Sequence, residues 1–110
     1  MRLEVRSENF DISQQLRDSI ERRLQFLLGR FSSRIGRVAV HLEELRSPHR
    51  IMVTSCRIVV RFVRSGKVSV EDTDNDLEAV VNRSTHRVAQ LVRRHVDRWH
   101  AQGEQRQATR

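Results

Sequence analysis

Hydrophobic and charged positions alternate at the start of the chain. Leu3 and Val5 lie between Arg2, Glu4 and Arg6, the two-residue period of a half-buried strand. The period then changes. Leu16, Ile20, Leu24, Leu27, Leu28 and Phe31 recur at steps of three and four behind Ser13, a residue suited to an N-cap, so the pattern predicts an amphipathic helix over roughly 14 to 31. Gly29 weakens its last turn and "SSRIG" ends it. Alternation returns at Val38, Val40 and Leu42, and again at Cys56, Ile58, Val60 and Phe62, with the loop "RSPHR" between them. "RSGK" reads as a hairpin turn into a short fourth strand at Val68 and Val70. A long final helix buries Leu77, Val80, Val81, Val88, Leu91, Val92 and Trp99. It follows "EDTDND", whose carboxylates favour a helix N-terminus; Thr73 with Asp76 is one capping pair and Asp74 an alternative cap.

The predicted order is β-α-β-β-β-α. A helix crossing between the first two strands makes them parallel, and the other strands form an antiparallel meander. Each strand has one apolar face, so both helices must cover the same side. The expected fold is α+β: a two-layer sandwich in which a four-stranded mixed sheet carries two helices on one face. At 110 residues the chain is one domain, predicted over 1–100. The last ten residues, "AQGEQRQATR", are polar and aperiodic and read as a disordered tail over 101–110.

Composition adds a partner. The formal charge is +7 and the pI about 11.4, with Lys67 the only lysine. A GC-rich genome accounts for arginine over lysine but not for the net charge, so a polyanion is expected, nucleic acid before an anionic membrane surface. Cys56 is the only cysteine, which excludes an intramolecular disulfide and fits a cytoplasmic protein. No window holds the ~20 apolar residues of a membrane-spanning helix, and "MRLEVRSENF" has no apolar run of the kind a signal peptide needs.

The charge is also placed. At 100° per residue, Arg83, Arg87, Arg94 and Arg98 fall within an arc of about 60° on one flank of the last helix's apolar stripe, with Gln90 beside them. Arg93 and His86 lie further towards solvent. On the first helix Arg23 and Arg30 flank one side of the stripe and Arg17 the other, and packing on one sheet is expected to bring the rows together. Guanidinium groups one turn apart suit successive phosphates or stacking on unpaired bases. The same spacing also describes an ordinary solvated flank, and spacing alone leaves both readings open. Arg2, Arg6, Arg37, His41, Arg57, Arg61 and Lys67 share the sheet's other face with Glu4, Glu43 and Glu71. Lacking base-stacking aromatics, that face reads as a mixed-charge solvated surface.

Nothing points to an enzyme, a cofactor, a metal or a small-molecule substrate. His95 and His100 are five residues apart and His86 faces elsewhere, which is poor spacing for metal ligation. Cys56 reads as a small core residue, and "EDTDND" lacks the glycine and terminal glutamate of a calcium loop.

The ordered strings "FDISQQLRDSIERRL", "FSSRIGRVAVHL" and "DLEAVVNRSTHRVAQLVRRHVDR" resemble the ribosome hibernation promoting factor family, also called ribosome-associated inhibitor A or sigma-54 modulation proteins. The resemblance covers residues 1 to about 100. Family members share this fold, bind ribosomal RNA of the small subunit between head and body, and block translation in stationary phase. By resemblance the chain looks like a short form, an inhibitor seated in the decoding region through basic residues on its two helices. The resemblance points to Arg17, Arg23, Arg87, Arg94 and Arg98, with His95 and Asp97 in the closing run; Arg30, Arg83 and Gln90 join them from spacing. Glu78 stands where the family usually has Tyr, Asn82 where it has Asp, and "RSPHRIMVTS" departs from the Gly-rich loop of longer members. The alternatives are a protein-interaction regulator of a transcription or stress factor, and a general structured-RNA binder. Against the last, "DTDND" at the start of the final helix repels phosphate.

Overall fold

The computed structural model describes residues 1–46, 48, 49 and 51–108, with side chains described up to residue 100. Strand β1 (Arg2–Glu8) leads to helix α1 (Gln14–Leu28) and a 3-10 helix (Gly29–Arg34). Strands β2 (Ile35–Arg46), β3 (Met52–Phe62) and β4 (Lys67–Asp74) follow, and helix α2 (Leu77–Ala108) closes the order. The sheet runs β1-β2-β3-β4, with β1 parallel to β2 and the later pairs antiparallel. This is the predicted α+β sandwich, α1 and α2 sharing one face. The expected tail over 101–110 falls on residues whose side chains lie outside the described set.

The core is the meeting of three periodicities. Val38, Val40 and Leu42 of β2 and Cys56, Ile58, Val60 and Phe62 of β3 point inward, where Ile20, Leu24 and Leu28 of α1 and Val80, Val81, Val88, Val92 and Val96 of α2 cover them. Leu24 is wholly buried, so truncation to alanine would cost about 2 to 5 kcal/mol. Val96, Ser84 and Thr85 belong to the buried stripe as well, and Leu77, Leu91 and Trp99 pack at its margin. The Thr85 hydroxyl donates to the Val81 carbonyl at 2.9 Å, which lets a polar residue sit inside.

Several boundaries differ from the expected ones. Ser13 does cap α1, its hydroxyl accepting from the Leu16 N–H at 3.0 Å. The helix ends at Leu28, however, and Gly29, Ser32 and Ser33, all weak helix formers, continue as a tighter 3-10 turn. β2 begins at Ile35 because a bulge at Gly36 inserts one residue, so that Ile35 and Val38 both reach the core although three positions apart. β4 extends through Glu71, Asp72, Thr73 and Asp74, paired residue by residue with Arg57, Cys56, Ser55 and Thr54. Those carboxylates therefore lie in a strand rather than before a helix. The cap of α2 is neither Thr73 nor Asp74 but Asp76, whose carboxylate accepts from the Glu78 and Ala79 N–H groups at 3.0 and 3.3 Å.

One turn decides how α2 is seated. Gly66, between β3 and β4, has φ +90°, and a Cβ there would stand 3.2 Å from Cε1 of His95. Only glycine meets both demands without strain. His95 in turn stacks on Phe62, ring centroids 4.0 Å apart, with Trp99 edge-on to Phe62 at 5.8 Å. The C-terminal half of α2 is thus fixed against the β3–β4 turn, at the end of the sheet where β1 and β2 begin.

Candidate nucleic-acid interface

The topology sorts charge along the strand axis. At the end defined by the starts of β1, β2 and β4 lie Arg2, Arg34, Arg37, Arg61, Arg64 and Lys67, and the return of α2 adds Arg94 and Arg98. At the opposite end lie Glu8, Glu43, Glu44, Asp72, Asp74 and Asp76. A molecule polarised in this way is oriented by a polyanion's field before contact.

The predicted row on α2 divides accordingly. Arg83 donates to the carboxylate of Asp72, to that of Asp74 at 3.2 Å and to the Thr73 carbonyl at 3.2 Å. Arg87 lies 3.6 Å from the same Asp72 oxygen. The Arg83 guanidinium and the Thr73 N–H hold the Asp72 carboxyl below the usual carboxylate range, and Asp72 in turn raises Arg83. Asp74 is lowered chiefly by the Asp76 N–H. Arg83 and Arg87 are therefore anchored to β4, and an incoming phosphate must compete with carboxylates for them. Gln90, Arg94 and Arg98 share the flank and are exposed, with no ion pair to Arg94 or Arg98 among the described residues.

This flank looks over β4, not towards α1, so the two predicted rows do not meet in one groove. The α2 arginine on the side of the 3-10 helix is Arg93, which lines a cleft with Arg30, Phe31, Ser33, Arg34, Asp97 and His100. Arg34 donates to Nε2 of His100 at 2.6 Å, which makes that nitrogen the acceptor. Arg30 lies in the 3-10 helix rather than in α1, its guanidinium 4.7 Å from the Phe31 ring centroid. Arg23 is half-buried on α1. Arg17 reaches over the edge strand and donates to the Val5 carbonyl, satisfying an edge acceptor.

His95 serves packing first. It is half-buried in the stack on Phe62, its Nε2 is buried with no hydrogen-bond partner, and burial and then Arg98 push its pKa down. The neutral ring is favoured. Cys56 is wholly buried and desolvation pushes its thiol up, the opposite of a nucleophile's environment.

Sequence periodicity passed over three groups at the basic end. Arg64 stands over the Trp99 ring at 5.9 Å, and Arg34 and Arg93 both line the cleft. Phe26 is 88% exposed on α1, one turn from both Arg22 and Arg30. The signal was available in the spacing, since Phe26 falls outside the stripe of Leu16, Ile20, Leu24, Leu27 and Leu28. An exposed ring between guanidinium groups can accept a stacked base while they hold flanking phosphates. No group of three or more metal-ligating side chains occurs among the described residues, and no helix is long and apolar enough to cross a membrane.

The comparisons agree with the expected resemblance. A family model described as "Sigma 54 modulation protein / S30EA ribosomal protein" matches residues 3–100. The chain is similar to the crystal structure of the Thermus thermophilus Protein Y N-terminal domain, with 25% identity and a TM-score of 0.70, over 86% of this chain and 99% of that one. It also resembles the fold of a ribosomal subunit interface protein from Coxiella burnetii, with 13% identity and a TM-score of 0.74, over 88% of this chain and 99% of that one. No curated protein matches the sequence.

Proposed function

Because the chain belongs to the sigma 54 modulation protein / S30EA ribosomal protein family, we propose that it is a cytoplasmic, non-enzymatic hibernation factor that binds ribosomal RNA of the small subunit. In this reading it occupies the decoding region and blocks translation. The observation that carries it is the gathering of unpaired cations at one end of a charge-sorted fold. Arg94 and Arg98, with Gln90, present free guanidinium and amide groups on the flank of α2, Arg30 and Arg93 line the cleft between α2 and the 3-10 helix, and half-buried Arg23 adds a cation on α1. Phe26 offers a stacking face. Arg17, Arg83 and Arg87 position the helices on the sheet and touch RNA only at its margin. His95 fixes the α2 end that carries Arg94 and Arg98.

The acidic end makes the reading directional. Asp72 and Asp74 at the end of β4 and Asp76 at the cap of α2 repel phosphate there, so the basic end enters the RNA first. The test is co-sedimentation with purified small subunits over a range of salt. Binding that weakens by about 10³-fold or more between 50 and 200 mM salt is expected for six or more phosphate contacts. Absence of binding at every salt concentration contradicts the proposal. Recovery of one acidic protein and no ribosomal RNA from nuclease-treated lysate would instead favour a protein-interaction regulator.

A further inference from the structure

Strand pairing adds a feature to the sheet's uncovered face that strand-by-strand alternation does not reveal. Arg2 is paired with Arg37, Arg37 with Arg61, and Arg61 with Lys67, one cation from each of the four strands. All four side chains point away from the helices, because their neighbours Leu3, Val38, Val60 and Val68 point inward. At 4.7 to 4.9 Å between strands the row spans about 14 Å. Like charges directly opposite one another destabilise a sheet, and here the fold places three such pairs side by side.

The rest of the face is compensated and the row is not. Two residues further along the strands the row reads Glu4, Ala39, Val59 and Ser69, and beyond it Arg6, His41, Arg57 and Glu71. In the last of these rows Arg6 is held by Glu4 at 2.6 Å, His41 by Glu8 at 3.2 Å, and Arg57 is paired with Glu71. In the cationic row only Arg37 has a carboxylate, again Glu4, whose acidity is raised chiefly by that contact. Arg2, Arg61 and Lys67 are exposed with no ion pair among the described residues. The short side chains of Ala39 and Ser69 beside the row leave room for a sugar–phosphate backbone to approach.

We propose that this row is a second RNA-binding surface, in which Arg2, Arg37, Arg61 and Lys67 hold the phosphate backbone of an RNA segment on the face opposite the helices. The row lies at the same end of the molecule as Arg94 and Arg98 but on the other side of the sheet. RNA held on both sides clamps the basic end between two segments. The identity of the RNA as ribosomal rests on the function proposed above; the row itself rests on the register.

The test compares R2Q/R61Q/K67Q with R6Q/R57Q, a control on the same face whose cations already have acidic neighbours. Both are titrated with purified small subunits and with a fluorescently labelled oligouridylate. Loss of three phosphate contacts lowers the salt slope of binding by about 2 to 3 and weakens binding by at least about tenfold near 100 mM salt. The control stays within roughly twofold of the unsubstituted protein. Thermal unfolding separates misfolding from lost contacts, since relieving like-charge pairs leaves the midpoint unchanged or higher. An unchanged affinity and slope for the triple variant, with the unsubstituted protein still binding subunits, overturns the row and spares the proposed function. If the unsubstituted protein binds no subunits, that function fails. The oligouridylate titration then decides the row, a loss in the triple variant supporting it and no change overturning it.

Discussion

The division between free and anchored arginines on α2 makes a quantitative prediction. Two double substitutions, R94Q/R98Q and R83Q/R87Q, remove the same formal charge from the same flank of one helix. In the first, two exposed guanidinium groups without ion-pair partners are lost. In the second, the groups lost are already engaged with Asp72 and Asp74, at 3.2 Å for Arg83–Asp74 and 3.6 Å for Arg87–Asp72. Each phosphate contact contributes about 0.7 to 0.9 to the salt slope, so a fourfold rise in salt weakens binding by about threefold per contact. The R94Q/R98Q protein should therefore lose about tenfold less affinity than the unsubstituted protein between 50 and 200 mM salt. For R83Q/R87Q the slope should change little, while the thermal midpoint falls because Asp72 and Asp74 are left without cations. Sedimentation with small subunits at four salt concentrations measures the slopes. Equal reductions in the two variants would refute the argument that intramolecular carboxylates withhold Arg83 and Arg87 from RNA.

Gly66→Ala places a Cβ 3.2 Å from His95 at φ +90°, and should cost on the order of 1 to 3 kcal/mol in urea unfolding; an unchanged midpoint would show that the turn is not constrained. Asp76→Ala removes the acceptor for two N–H groups at the start of α2 and should cost about 1 kcal/mol, whereas Asp74→Ala should cost α2 no cap. His95 has a folded-state pKa below its unfolded value, so the unfolded chain binds more protons between the two. Its contribution is fully present above the unfolded pKa of about 6.5 and is lost as pH falls from there through the depressed folded value. His95→Phe, which keeps an aromatic ring against Phe62, should flatten the dependence of the unfolding midpoint on pH as pH falls below the unfolded value of about 6.5. A variant whose midpoint falls as steeply as before would contradict the assignment.

Much of the fold was legible because alternation and helical periodicity are local. Val38, Val40 and Leu42 announced a strand, and Ser13 announced the start of α1. What local pattern could not supply was anything that depends on which strand lies beside which. The cap of α2 was misplaced because Thr73 and Asp74 look like capping residues until their pairing with Ser55 and Thr54 draws them into β4. Ladder pairing with β3 outweighs a capping preference. The helical wheel puts Arg83, Arg87, Arg94 and Arg98 on one flank, but only tertiary packing decides that Arg83 and Arg87 are held against β4, and that Arg93 lines the same cleft as Arg30. Arg2, Arg37, Arg61 and Lys67 are dispersed through 66 positions of sequence and become neighbours only through register. The ribosomal partner came from the ordered resemblance of whole strings, to which the match over residues 3–100 corresponds.

The central claim is that the basic end occupies the place on the small subunit where messenger and transfer RNA sit. Its most direct test is competition: small subunits carrying a labelled messenger and initiator transfer RNA are titrated with the protein, and bound label and bound protein are measured together. The account predicts mutual exclusion, with label released as the protein saturates its site, and weaker release by R94Q/R98Q. Saturating binding of the protein with messenger and transfer RNA both retained would contradict it.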